Sequence, residues 1–197
     1  MIRMVIEMQG NILANRSVSG RNKSDYYPTP EDCTITLVDY LNIPKGSTIW
    51  EPACGQGHMS RALEQCGYRV ISTDIEDYGC GYDVEDFLQS SGKECDWIIT
   101  NPPFSLSSQF IEKAISLKKP FALLLKSQYW HSKNRMSLFN KHRPMYVLPL
   151  TWRPDFEFGK RGGSPTMECI WTVWGENPSD STVYRPLCRT TKLIGEQ

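Results

Sequence analysis

Histidine is scarce, at three residues in 197, and no Cys-x-x-Cys pair occurs, so the ligand spacings of a structural zinc site are missing. Seven cysteines, Cys33, Cys54, Cys66, Cys80, Cys95, Cys169 and Cys188, are odd in number and scattered. That usage belongs to free thiols in a reducing cytoplasm rather than to a disulfide framework. No apolar run spans a membrane, and the N-terminal MIRMVIEMQG is too short and too often broken by charge for a signal peptide. Neither sign of charge is in excess, 22 Lys and Arg against 22 Asp and Glu, which argues against a nonspecific polyanion binder. No internal repeat is found.

The balanced average hides a division. From Glu31 to Thr100, thirteen acids stand against four basic residues, a net of −9, whereas from Glu112 to Arg161 eleven Lys and Arg face three acids, a net of +8. The first half suits a cationic or neutral ligand, and the second can face phosphates, unless segmental solvation alone explains the split. At 197 residues the length fits one domain with a substantial core.

Residues 1–25 contain the polar NILANRSVSGRNKSD and are expected to form a flexible arm. Thr29-Pro30-Glu31-Asp32 has the form of a helix start, with Thr29 as N-cap, Pro30 at the first helical position and Asp32 at the capping-box place. Helices are also expected at about 58–65, at 85–89 and at 109–118. Strands are expected at 47–51, 68–73, 96–100 and in the all-apolar FALLL of 121–125. This alternation predicts an α/β domain over 26–176 with a central, mostly parallel sheet. Phe156-Glu157-Phe158, the glycine-rich 159–163 and 166–174 read as an antiparallel hairpin closing one edge, and 177–197 as a tail.

Ile49-Trp50-Glu51-Pro52-Ala53-Cys54-Gly55-Gln56-Gly57 sets two glycines at a strand-to-helix turn, where backbone can approach a nucleoside closely. A nicotinamide dinucleotide would want a third glycine where Ser60 stands. Glu51, at the strand end, would repel a pyrophosphate and can meet an ammonium. Asp74, nineteen residues after Gly55, ends the next strand, where an acid can accept from ribose hydroxyls. Asp86 can hold an adenine amino group while Phe87 covers the ring.

Asn101-Pro102-Pro103-Phe104 follows the apolar strand Trp97-Ile98-Ile99. An aromatic exocyclic amine is a poor nucleophile because its lone pair is delocalised into the ring. Two acceptors aimed at its hydrogens, the Asn101 side-chain oxygen and the Pro102 carbonyl, favour the pyramidal form. The prolines fix the turn and remove competing N–H donors, and Phe104 offers a stacking surface.

Together Glu51-x-x-x-Gly55-x-Gly57, Asp74, Asp86-Phe87 and Asn101-Pro102-Pro103-Phe104 resemble the motif series of class I S-adenosylmethionine-dependent methyltransferases, in particular the phage-type DNA adenine N6 family. Tyr26-Tyr27-Pro28-Thr29-Pro30 is similar to the segment that in this family folds over the methionine part of the cofactor. The resemblance runs from about Tyr26 to Leu125. It implies a Rossmann-like fold with a seven-stranded sheet, helices on both faces and a C-terminal antiparallel hairpin. It also implies S-adenosylmethionine as cofactor, contacted by Tyr27, Thr29, Pro30, Glu51, Pro52, Ala53, Gly55, Gly57, Asp74, Ile75, Asp86 and Phe87. Asn101 to Phe104 would be the catalytic segment, the target adenine would be flipped out of its duplex, and the protein would be cytoplasmic, in the host if phage-encoded.

Lys126, Tyr129, Trp130, Lys133, Arg135, Arg153, Lys160 and Arg161 interleave cations with aromatics and are the expected DNA contacts. Only 43 residues separate Gly57 from Asn101, and 126–143 is too short for an independent recognition domain, so a site of two to four bases read by a loop, little sequence preference, or a homodimer in place of a monomer is expected. RNA bases, a protein glutamine amide, and catalytically silent nucleic-acid binding are the alternatives.

Overall fold

A computed structural model describes residues 26–157 and 164–190; the expected arm, Lys160, Arg161 and the glycine-rich 159–163 lie outside them. In chain order the elements are α1 (Glu31–Leu41), β1 (Thr48–Glu51), α2 (His58–Gln65), β2 (Arg69–Asp74), β3 (Asp83–Val84), β4 (Trp97–Thr100), α3 (Ser107–Ser116), β5 (Phe121–Lys126), α4 (Met136–Lys141), β6 (Tyr146–Pro149), β7 (Cys169–Trp174) and β8 (Val183–Tyr184). Short 3₁₀ turns lie at Phe104–Leu106, Ser127–His131 and Lys133–Arg135.

The strands form one sheet in the order β3-β2-β1-β4-β5-β7-β6-β8. From β3 to β5 all neighbours are parallel, while β7 runs antiparallel to both β5 and β6. Strands covered on both faces read as continuous apolar runs, and FALLL of β5 is buried throughout. Cys33, Leu37 and Val38 of α1 and Met59 and Leu63 of α2 pack with Leu148 and Trp171 on one face. On the other face Phe110, Ile111 and Ala114 of α3 pack with Trp50, Ile98 and Leu123. This is the Rossmann-like methyltransferase architecture.

Several local expectations are corrected. An eighth short strand, β8, lies parallel to β6, and Leu187 beyond it is buried, so 183–190 packs on the sheet. The antiparallel pair is present, with Tyr146–Pro149 as its first arm; of the expected 156–158, Phe158 lies outside the described residues and Phe156 is buried, its ring centroid 5.5 Å from that of Tyr27 in an edge-on contact. Residues 85–89 hold a turn rather than a helix: Oδ1 of Asp86 takes the Leu88 N–H at 2.9 Å and its carbonyl takes the Gln89 and Ser90 N–H groups at 3.0 Å, a single capped turn that does not continue as helix. The helix α1 has Pro30 as N-cap, with no side-chain cap. Asp32 meets Arg189 at 2.6 Å instead of closing a capping box.

Candidate active site at the carboxyl ends of the strands

Strand order reverses between β1 and β4, and in such sheets ligands bind beyond the carboxyl ends at this switch point. Glu51 ends β1, Asp74 ends β2, Asn101 follows β4 and Lys126 ends β5, so parallel pairing gathers residues far apart in sequence.

The turn after β1 needs its glycines. Gly55 has φ 52° and Gly57 φ 76°, both in the left-handed region. A Cβ on Gly55 would clash with Cε2 of Tyr26, and one on Gly57 with the hydroxyl oxygen of Tyr82. Tyr26 in turn stacks on Tyr78, with centroids 5.2 Å apart. Two tyrosines, Tyr26 and Tyr82, therefore crowd the backbone of this turn, with Tyr78 stacked behind Tyr26, and Tyr78 and Tyr82 carry no sequence signal that marks them.

Glu51 is buried, and the Ser60 hydroxyl donates to its Oε2, while the Ser72 hydroxyl donates to Ser60 at 2.7 Å. Desolvation raises the Glu51 pKa to about 8, and among the described residues no cation pairs with it. Ser60 stands where a dinucleotide site would have glycine, and its hydroxyl is what holds the carboxylate. Asp74 is buried as well, accepting the Gly55 N–H at 2.8 Å on Oδ2 and the Glu76 N–H at 3.1 Å on Oδ1.

Asn101 donates through Nδ2 to the Tyr27 carbonyl at 3.0 Å and to the Thr29 hydroxyl at 3.1 Å. A carbonyl can only accept, so the amide nitrogen must face Tyr27 and the oxygen must face away. That oxygen, Oδ1, is buried with no partner among the described residues. The Pro103 carbonyl receives the Leu106 N–H at 2.9 Å and so starts the following turn. Phe104 is half-buried, its ring centroid 5.3 Å from that of Tyr27, with the Lys126 ammonium 4.5 Å above it.

Tyr26, Tyr27, Thr29, Glu51, Ala53 and Asn101 share a cavity of about 20 Å³ with their neighbours, little more than one water occupies. The expected site residues are not all placed alike. Pro52 is buried beside the cavity and Ile75 is exposed beyond β2. Phe87 is in the core, with its ring 5.2 Å from Trp50 and 4.8 Å from Phe110, so it is not presented to a ligand. Of the expected DNA contacts, Lys133 and Arg153 are exposed, and Arg153 pairs with Glu168 at 2.9 Å. Tyr129 is buried under Arg135, which donates to the Tyr129 carbonyl at 2.6 Å, so these two brace the loop after β5. Trp130 is half-buried and donates to Thr172 at 3.2 Å. Among the described residues no group of His, Cys, Asp or Glu is placed to hold a metal ion, and no helix is long and apolar enough to cross a membrane.

No family model matches the chain. It is 25% identical over 146 residues to the Type II methyltransferase M.TthHB8I of Thermus thermophilus, covering 63% of this chain and 34% of that protein. The chain thus spans about a third of the length of this curated relative. A candidate RNA methyltransferase from Pyrococcus horikoshii superposes with a TM-score of 0.62 at 15% identity, over 78% of this chain and 89% of that one. A candidate class I S-adenosylmethionine-dependent methyltransferase from Listeria monocytogenes gives 0.60 at 14% identity, over 91% and 72%. The fold and these relatives imply S-adenosylmethionine as cofactor, and the residues fit it: a buried carboxylate without a cation beside a glycine turn suits an ammonium-bearing nucleoside.

Proposed function

We propose that this chain transfers a methyl group from S-adenosylmethionine to the exocyclic N6 amine of adenine in DNA. The observation that carries the reading is the Asn101 amide, turned by Tyr27 and Thr29 so that a buried acceptor oxygen is left open. A buried acceptor without a partner costs about 1–3 kcal/mol, and a substrate N–H donor removes that cost.

Glu51 would hold the cofactor's ammonium, Asp74 its ribose, and Tyr27, Thr29 and Pro30 its methionine end. Bound cofactor supplies an electrophilic methyl group. Asn101 Oδ1 and the Pro102 carbonyl accept the two amine hydrogens, which draws the nitrogen lone pair out of the ring system. Phe104 stacks the base beside the Lys126 ammonium. No general base is needed, since the surplus proton leaves to water after transfer. A duplex adenine reaches this pocket only when flipped out, at a cost of a few kcal/mol. The glycine turn opens to the ribose when the Tyr26 and Tyr82 rings swing from it.

Labelled S-adenosylmethionine incubated with unmethylated duplex DNA, single-stranded DNA, RNA and protein extract tests this directly, with the product identified by mass spectrometry. N6-methyladenine in DNA is the expected product. Label confined to RNA or protein overturns the substrate, and cofactor binding without any label overturns the enzyme.

A further inference from the structure

A cleft of about 930 Å³ adjoins the site, far larger than the cavity at the glycine turn. Its floor is one face of β6, β7 and β8, including Val147, Ile170 and Tyr184, which share a side of the sheet by register. Trp130 and His131 wall it on the β5 side, and Trp152 and Arg153 wall the end beyond β6. It begins at Ser127, the residue after the Lys126 whose ammonium covers Phe104. The connection from β5 to β6 carries two short 3₁₀ turns and the six-residue α4, whose Phe139 lines the cleft.

We propose that this cleft seats the nucleotides flanking the target adenine as unpaired DNA strand, a reading that rests on the function proposed above. Three observations favour this occupant. The exposed ring of Tyr184, 67% accessible on this sheet face, can stack on an unpaired base, whereas a duplex hides its base faces. Trp152 lines the cleft, and its Nε1, buried in the free protein, has no partner among the described residues, so a base edge can take this donor once the indole turns toward the strand. The side of the cleft formed by residues 127–153 belongs to the net-positive stretch of the chain, with His131 and Arg153 exposed along it. Glu168 also lines it, bound to Arg153 at 2.9 Å, but an exposed pair of this kind is weak, and a phosphate can take the guanidinium from it. Neither the 43 residues between Gly57 and Asn101 nor residues 126–143 have room for a separate recognition domain, which favours a surface beside the site, such as this cleft, for the flanking bases.

Fluorescence anisotropy with the full chain reads the proposal. The probes are single-stranded oligodeoxynucleotides that end at an adenine or extend three thymidines past it on either side, with matching duplexes and RNA. Extension on one side is expected to tighten binding by about tenfold, the scale of one stacked base, with no gain for the duplex. Tyr184→Ala and Trp152→Phe should each remove most of that gain without changing cofactor affinity by calorimetry. Equal affinity for all single strands, or a gain that survives both substitutions, overturns the proposal. An equal gain with RNA overturns the assignment to DNA. A dimer that Tyr184→Ala dissociates places a second copy in the cleft and overturns it too. Methyl transfer to the shortest oligonucleotide is measured in parallel: its presence without an extension gain sinks only the cleft, and its absence with that gain sinks only the proposed function.

Discussion

The hydroxyl of Thr29 accepts a hydrogen bond from the side-chain amide of Asn101 at 3.1 Å, across 72 residues of sequence. Thr29 is almost fully buried, at 4% exposure, and its side chain caps no helix. Its hydroxyl is therefore committed to orienting Asn101. With the Tyr27 carbonyl it fixes which end of the amide faces the pocket.

Thr29→Val keeps the shape and removes the acceptor, so kcat should fall by roughly tenfold, the order of a lost buried hydrogen bond. Thr29→Ser should restore it. A packing defect would instead lower thermal stability and would not be rescued by serine, so steady-state kinetics is read beside the melting temperature of each variant.

Asn101→Ala removes the open oxygen and should abolish methyl transfer while leaving cofactor affinity nearly intact. Asn101→Asp is the sharper variant. Its carboxylate would face the Tyr27 carbonyl with two acceptors and no donor, so the side chain must turn or take up a proton. A variant with wild-type turnover would remove the proposed role of this amide.

Much of the fold is legible in the sequence where local pattern and tertiary demand agree. The apolar runs of β4 and β5, the glycine turn and α2 are such places, each specified by its own residues. The strand β6 is hard to read because it has only four residues, the last of them Pro149, and starts two residues after Pro144, so its pairing with β7 is decided by the sheet. Phe87 reads as a ligand cover because it follows an acid at a strand end, yet nothing local reveals that Trp50 and Phe110 enclose it. Thr29 reads as a cap for the same reason: a threonine before Pro-Glu-Asp is a local signal, whereas its partner Asn101 is supplied by a distant strand.

Asp74 has a structural duty beside any ribose contact, since it accepts the Gly55 N–H. Asp74→Ala should weaken cofactor binding and also loosen the empty turn, costing about 1–3 kcal/mol for the orphaned donor. Asp74→Asn can still offer an oxygen to Gly55. Calorimetric affinity should drop in both variants, while thermal stability should drop mainly in the alanine variant. Unchanged affinity in both would show that the ribose is bound elsewhere.

Glu51 makes both stability and cofactor affinity depend on pH, in opposite directions. In the folded, cofactor-free protein its carboxyl keeps its proton up to about pH 8, because burial penalises the charge more than the Ser60 hydroxyl compensates. Unfolded, it ionises near its ordinary value of 4.5. The folded state thus holds the extra proton between those limits, and its contribution to stability, complete below about pH 4.5, is lost as pH rises through about 8. A bound ammonium reverses the preference by favouring the carboxylate, so binding below pH 8 must release a proton. Cofactor affinity should accordingly rise from pH 6 to 8, by up to about tenfold per pH unit, while the melting temperature of the free protein falls. Glu51→Gln preserves an acceptor for Ser60, cannot ionise, and should flatten both dependences while weakening cofactor binding. Calorimetry in buffers of different ionisation enthalpy counts the released proton directly; no release at pH 7 would mean that Glu51 does not meet the ammonium.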